Sequence, residues 1–271
     1  MLETLLSAVP LEALAVRMLA TAFVVMAVSW AVGAFGPLIG GALAGLPIIL
    51  GPGFYFLAAQ APAAFVAQTA SYALLSLCAT QCFLLCYIAA AAKTPPWLCL
   101  ACAVSAWLAA ALVLRLLPAH PAAGALLFIA VTALCLRLGR RFVLPRGPAK
   151  GKAGFGLLAV RGLLAGTLVA VVTGASQWLG ATGAGLLLAF PIGYSVVAVT
   201  IHQKLGTASL IATLYSALLG TASLAAFCAA LAFAAPRWTA DAALAAALAA
   251  SMTLTLGLVL RRRHLAAPRF R

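Results

Sequence analysis

Acidic side chains are almost missing from this chain. Asp and Glu together number 3 in 271 residues, at Glu3, Glu12 and Asp241, and none falls in the interior of an apolar stretch. General acid–base catalysis needs a titratable group beside the reaction, and intramembrane proton relays usually run on carboxylates; both lose their usual residues here. The chain also has no P-loop, no nucleophile-elbow motif and no HExxH, so the sequence reads as a non-enzyme without a cofactor. Charge of either sign is scarce, at 7% of residues. A soluble domain carries about a quarter charged residues, so no water-soluble surface can be built. No Lys or Arg precedes Arg17, and the N-terminus therefore lacks the basic region of a signal peptide.

Apolar residues fill the space, at 66% with a mean hydropathy of +1.18. The runs are continuous and do not alternate, which excludes a transmembrane barrel. Only helices then satisfy the backbone in lipid. The expected fold is an all-α, polytopic helical membrane protein whose first partner is the lipid bilayer. Its net charge of +14 would suggest nucleic acid in a soluble protein, but no separate basic domain exists to bind one. Basic loops retained on the cytoplasmic side account for it. At about 20 apolar residues per span, nine candidates follow: Leu11–Gly33, Pro37–Ala59, Ala63–Ala92, Pro96–Leu117, Pro121–Leu138, Phe155–Leu179, Gly183–Ile201, Thr207–Ala235 and Ala240–Leu260.

The chain repeats itself at a fixed offset. Ala15-Val16-Arg17 recurs as Ala159-Val160-Arg161, Leu46-Pro47-Ile48 as Phe190-Pro191-Ile192, and Phe83 as Phe227 (161 − 17, 191 − 47 and 227 − 83 all equal 144). Residues 1–119 thus form a first four-helix repeat and 155–261 a second. A linker helix and basic loop occupy 120–154, and a basic tail 262–271. One unpaired helix between two four-helix units makes the second enter from the opposite face, which predicts inverted repeats. Charge placement agrees. With the N-terminus outside, Lys93, Arg137, Arg140, Arg141, Arg146, Lys150, Lys152, Lys204 and the C-terminal arginines fall on the cytoplasmic side, while the outer side keeps Arg115 and Arg237 and receives all three acids, in line with the positive-inside bias. Re-entry of the proline-interrupted second spans would change this parity.

Inverted repeats with broken helices are a device of secondary transporters, and the candidate site is read from them. Pro47 and Pro191 each remove a backbone donor mid-span and free a carbonyl one turn earlier. Arg17 and Arg161 sit about six residues, or about 9 Å, into the first helix of each repeat. A charge at that depth wants a partner, a cavity or an anion, or else reaches the headgroups. Gln68, Tyr72, Tyr194, Ser195 and Tyr215 add polar groups on the third, seventh and eighth spans, where bonding between helices is the plainer account. His202-Gln203-Lys204 reads as a loop. Cys78, Cys82 and Cys86 share a helix face and Cys99 and Cys102 form a CxxC, but without His or carboxylate neighbours they read as small apolar packers and not as a metal site.

Ala184-Gly185 through Phe190-Pro191, with His202 and Gly206 beyond, resembles the GlpM-like family of small bacterial inner-membrane proteins, here duplicated and fused; Leu46 replaces the phenylalanine in the first copy. The resemblance implies a multi-pass protein of the bacterial inner membrane. The functional expectation is a transporter or flippase for a polar or anionic solute or lipid. A non-transporting accessory subunit of an envelope complex is the alternative, and a homo-oligomer is compatible with either.

Overall fold

A computed structural model describes residues 11–34, 47–143 and 155–266. The glycine-rich stretch before Pro47, the basic loop with Arg146, Lys150 and Lys152, Glu3, and the last arginines Arg269 and Arg271 lie outside the described residues, as do the side chains of Arg161, Arg262 and Arg263. Everything regular within them is helical: α1 Leu11–Ala34, α2 Leu50–Ala58, α3 Ala63–Ala90, α4 Pro96–Leu114, α5 Pro121–Gly139, α6 Phe155–Gly174, α7 Ser176–Leu188, α8 Ile192–Gly220, α9 Ala222–Ala234 and α10 Ala240–Ala266. A single 3-10 turn, Arg140–Phe142, extends α5.

Five helical stretches among the described residues are long and apolar enough to cross a membrane: Ala63–Ala90, Pro96–Leu114, Pro121–Phe142, Ser176–Ala234 and Ala240–Arg261. The fourth has 59 residues, about 88 Å if straight, against a hydrocarbon core of about 30 Å. It must therefore be broken, and it is. Backbone geometry leaves the helix at Gly180, at Ala189–Pro191 and at Gly206. Gly206 has φ of +78°, a left-handed conformation that side chains with a Cβ resist. The helix persists through His202-Gln203-Lys204 up to that residue. This corrects the expected loop: one glycine makes the reversal and none of its neighbours unwinds.

Helix starts fall where proline fixes the chain. Pro62 and Pro95 hold extended geometry ahead of α3 and α4, and Pro121 opens α5 with His120 as its cap. Two boundaries recur at the same offset as the sequence matches. Gly206 stands 144 residues after Pro62, and Ala240, which opens α10, stands 144 after Pro96, which opens α4 (206 − 62 and 240 − 96).

Helix α3 is the centre. Its apolar window is 72% buried, against 22% for α4 and 28% for both α5 and α10, so the latter three turn most of their surface outward. Contacts along α3 give the direction of its neighbours. Ser76 and Thr80 meet Leu186 and Ala189, Tyr87 meets His202, and Ala91 meets Thr207. The segment through α7 and the first half of α8 therefore runs beside α3 in one direction and passes Pro191 without turning back. After Gly206 the chain retraces α3, reaching Gln81 at Leu218 and Thr221. Helix α5 runs with α3, from Leu74 beside Gly124 to Gln81 beside Thr132.

The two ends of the molecule differ sharply in charge. One end gathers Arg17, Gln60 and Thr173, with the residues about Ala58–Val66 set against Leu231–Ala243. The other gathers the turn at Arg140 and the Gly206 reversal. Among the described residues Lys93, Arg137, Arg140, Arg141, Lys204 and Arg261 belong to this second end, whereas Arg17, Arg115 and Arg237 belong to the first together with the acids Glu12 and Asp241. The run of α10 from Asp241 to Val259 separates them by about 27 Å.

Close glycine contacts seal the pairing of α1 with α6. A Cβ on Gly162 would meet Ala22 and Met26, one on Gly166 would strike the Met18 carbonyl, and one on Gly174 would meet Leu14. The partners descend along α1 as the glycines ascend along α6, so these equivalent helices pack antiparallel. Small residues permit such backbone approach in lipid. Gly166→Val should lower stability by about 1–3 kcal/mol through overpacking, read by thermal unfolding in detergent. Gly156→Ala, with nothing within 4 Å, should leave the midpoint unchanged. Equal tolerance of both would mean that the seam is not close-packed.

Candidate functional site

The break in the second repeat is where helix chemistry fails and other residues must supply it. Helix α7 ends at Leu188, and Ala189, Phe190 and Pro191 are not helical. Locally, the Phe190 amide donates to the Leu187 carbonyl and the Ile192 amide to the Phe190 carbonyl, at 3.0 and 2.8 Å. The Pro191 carbonyl accepts from both the amide and the hydroxyl of Ser195, each at 2.9 Å. Two further carbonyls are satisfied from α3. Ser76 donates to Leu186 at 2.9 Å and Thr80 to Ala189 at 3.2 Å. A backbone group left bare in lipid costs several kcal/mol, and these hydroxyls remove that cost at a proline break.

Beside the break lies a cavity of about 950 Å³. Ile48, Ile49 and Leu50, just after Pro47, line it from the first repeat, and Leu188 through Pro191 with Tyr194 line it from the second. Thr80 of α3, residues 212–217 of α8, and Thr255, Leu258 and Val259 of α10 complete its walls, and Leu136 and Val143 carry it to the Arg140 end. Both proline motifs thus border one space. Of the residues expected at the site, Pro191, Tyr194 and Tyr215 line the cavity. Pro47 is buried immediately beside it. Ser195 is turned to its own backbone. Tyr72 packs against Gly185, where a Cβ would also strike the Thr69 carbonyl, and Gln68 is exposed on α3.

Arg17 is placed elsewhere. Its guanidinium donates to Gln60 Oε1 at 2.6 Å and to Thr173 Oγ1 at 3.3 Å, and it lies 6.0 Å from the Phe56 ring centroid. Gln60 Nε2 in turn donates to the Thr173 carbonyl at 2.5 Å. These neutral oxygens join α1, the turn after α2 and the end of α6. Arg161 stands on α6, its side chain outside those described.

Sequence reasoning missed Gln60, Thr173, Ser76 and Thr80 as site-forming groups, and it undervalued Gln81. Gln81 is fully buried, and its Nε2 lies 2.6 to 3.0 Å from Thr132 Oγ1, the Leu218 carbonyl and Thr221 Oγ1. It ties α5 to the junction of α8 and α9. The only available signal was a polar residue inside an apolar span, which Gln81 shares with several less connected ones. The CxxC does not form one site: Cys99 is buried against Thr94, at 2.9 Å from its hydroxyl, and Cys102 is exposed.

No protein-family profile, curated protein or solved structure matches this chain, so the geometry carries the functional reading. The α3 hydroxyls give a direct test of the break. Ser76→Ala with Thr80→Val should destabilise the protein by about 1–2 kcal/mol, with interhelical bonds in membranes worth about 0.6 kcal/mol each and up to 1.7. Thr213→Val, whose hydroxyl bonds only within its own helix to Ser209, should shift the unfolding midpoint little. An unchanged midpoint in the double variant would show that the break needs no cap from α3.

Proposed function

We propose that this chain is a membrane transporter or flippase of nine spans, built from two inverted four-helix repeats and caught open toward one side. The observation that carries the reading is one cavity bordered by the segments at both proline motifs and lined toward the basic end by Leu136, Val143 and Val259. Antiparallel packing of α1 on α6 supports inversion, because a two-fold axis in the membrane plane reverses equivalent helices and one along the normal does not. Passage of α7 and α8 alongside α3 through the break supports a full span over re-entry. The excess of described lysines and arginines at the cavity end, six against Arg17, Arg115 and Arg237 at the other, supports a cytoplasmic assignment for that end under the positive-inside bias. The N-terminus then lies outside and the C-terminus inside, in the inner membrane that the family resemblance implies.

Arg17 acts in this reading as a latch and not as a substrate ligand. It ties the two repeats together at the end away from the cavity. Alternating access would require that contact to open as the cavity closes. The protein does no covalent chemistry here: the cavity serves passage.

Cysteine accessibility in a background lacking the seven native cysteines tests this directly. Thr213→Cys should react with an impermeant thiol reagent in inside-out vesicles and not in right-side-out cells. Pro191→Ala and Pro47→Ala, by restoring continuous helix, should cut that labelling severalfold while thermal stability holds or rises, since interior proline penalises a helix by about 3 kcal/mol in soluble hosts. An unreactive Thr213→Cys would overturn the open cavity and favour an accessory subunit packed dry.

Releasing the latch should do the opposite. Arg17→Ala or Gln60→Ala should expose Ser176→Cys, buried at the latch end, to reagent from the outside. Arg17→Lys should expose it less, keeping the charge while losing the two-pronged fork. No change in either variant would reduce the cluster to a structural bond.

A further inference from the structure

The cavity and its mouth have opposite chemistry. No charged side chain lines the cavity among the described residues. Its polar groups are hydroxyls, and most are already committed: Thr80 to the Ala189 carbonyl, Tyr215 to Leu136, Thr213 to Ser209 and Thr255 to Ser251. A small hydrated anion drawn inside would lose its water without replacement, which is prohibitive for an ion. Only the apolar part of a ligand is at home there.

Positive charge waits at the rim. Leu136 and Val143 line the cavity, and Arg137, Arg140 and Arg141 stand between them in sequence, all exposed; Arg261, also exposed, follows two residues after the lining Val259. Neither described acid lies at this end. The two rim elements are moreover the ones that face outward along their length, with Leu134 and Leu138 exposed on α5 and Met252, Leu256 and Leu260 on α10. In the membrane these flanks meet acyl chains, which places lipid beside both elements that line the cavity at its basic end.

We propose that the occupant is an anionic phospholipid, held with its phosphate head at the arginine rim and one apolar chain in the cavity. This rests on the transport reading and narrows it from a polar or anionic solute or lipid to an anionic phospholipid. Selectivity comes from the head. A chain moving from bilayer to apolar cavity gains little, because lipid tails are as apolar as leucine, whereas each basic residue near the surface attracts an anionic head. Binding must therefore weaken with salt.

The experiment uses the full-length protein in liposomes with phosphatidic acid carrying a photoreactive group in one acyl chain, and phosphatidylcholine carrying the same chain. Crosslinked peptides are identified by mass spectrometry. Phosphatidic acid should label the cavity peptide containing Tyr194 about tenfold more than phosphatidylcholine does. Arg140→Ala with Arg141→Ala, two exposed positions, should abolish most of that preference, as should high salt, and inorganic phosphate at equal concentration should not compete. Equal labelling by both lipids, or labelling confined to the outward face of α4 about Leu108 and Leu112, would reduce the contact to bulk lipid and overturn the proposal. Competition by inorganic phosphate would overturn it in favour of a free anion. If Thr213→Cys is water-accessible while phosphatidic acid shows no preference, the lipid assignment fails and the transporter reading stands; if both fail, the cavity is not a pathway.

Discussion

A backbone that leaves the helix inside a membrane must find new hydrogen-bond partners in protein, and that constraint organises this molecule. The interruption at Ala189–Pro191 survives because Ser76 and Thr80 of α3 reach its carbonyls. Those two bonds fix α3 beside the broken segment, and α3 in turn places α5, α8 and α9 through Gln81. The most buried helix is thus also the one that supplies the polar groups. Without a neighbour bearing hydroxyls at that spacing, the proline would be a defect; with it, the break becomes a fixed feature beside an open space.

Positions 144 residues apart differ in chemistry. Counting on by 144 from Ser76 and Thr80 leads to Gly220 and Leu224, which carry no hydroxyl and line the cavity. Gln60, which holds Arg17, is matched by Lys204. The same architecture is therefore tied together at one end by neutral hydrogen-bonding groups and left basic at the other.

Much of the frame was legible in residue order. Apolar runs marked the helices, and proline marked the starts of α4 and α5. The Arg-rich stretch at 137–141 marked the charged end, and the offset of 144 between Pro47 and Pro191 led to the two segments that border the cavity. Failures have local causes. His202-Gln203-Lys204 looked like a loop because its polarity suggested exposure at a span end; the helix nonetheless runs to Gly206, where a positive φ turns the chain. Arg17 called for a partner, a cavity, an anion or the headgroups, and residue order could not name the acceptors it meets, the neutral oxygens of Gln60 and Thr173, 43 and 156 residues away.

The sequence by itself determined that the chain is helical, apolar and charged at the boundaries, because hydropathy, proline geometry and charge placement are properties of residues in order. Only the tertiary structure decided which carbonyls the α3 hydroxyls satisfy, that the chain passes Pro191 without turning back, and that Arg17 lies apart from the cavity. Those outcomes depend on contacts between residues more than a hundred positions apart, such as Thr80 with Ala189. In an interior where nearly every side chain is apolar, the few polar groups have no sequence neighbour to choose, and packing alone selects their partners.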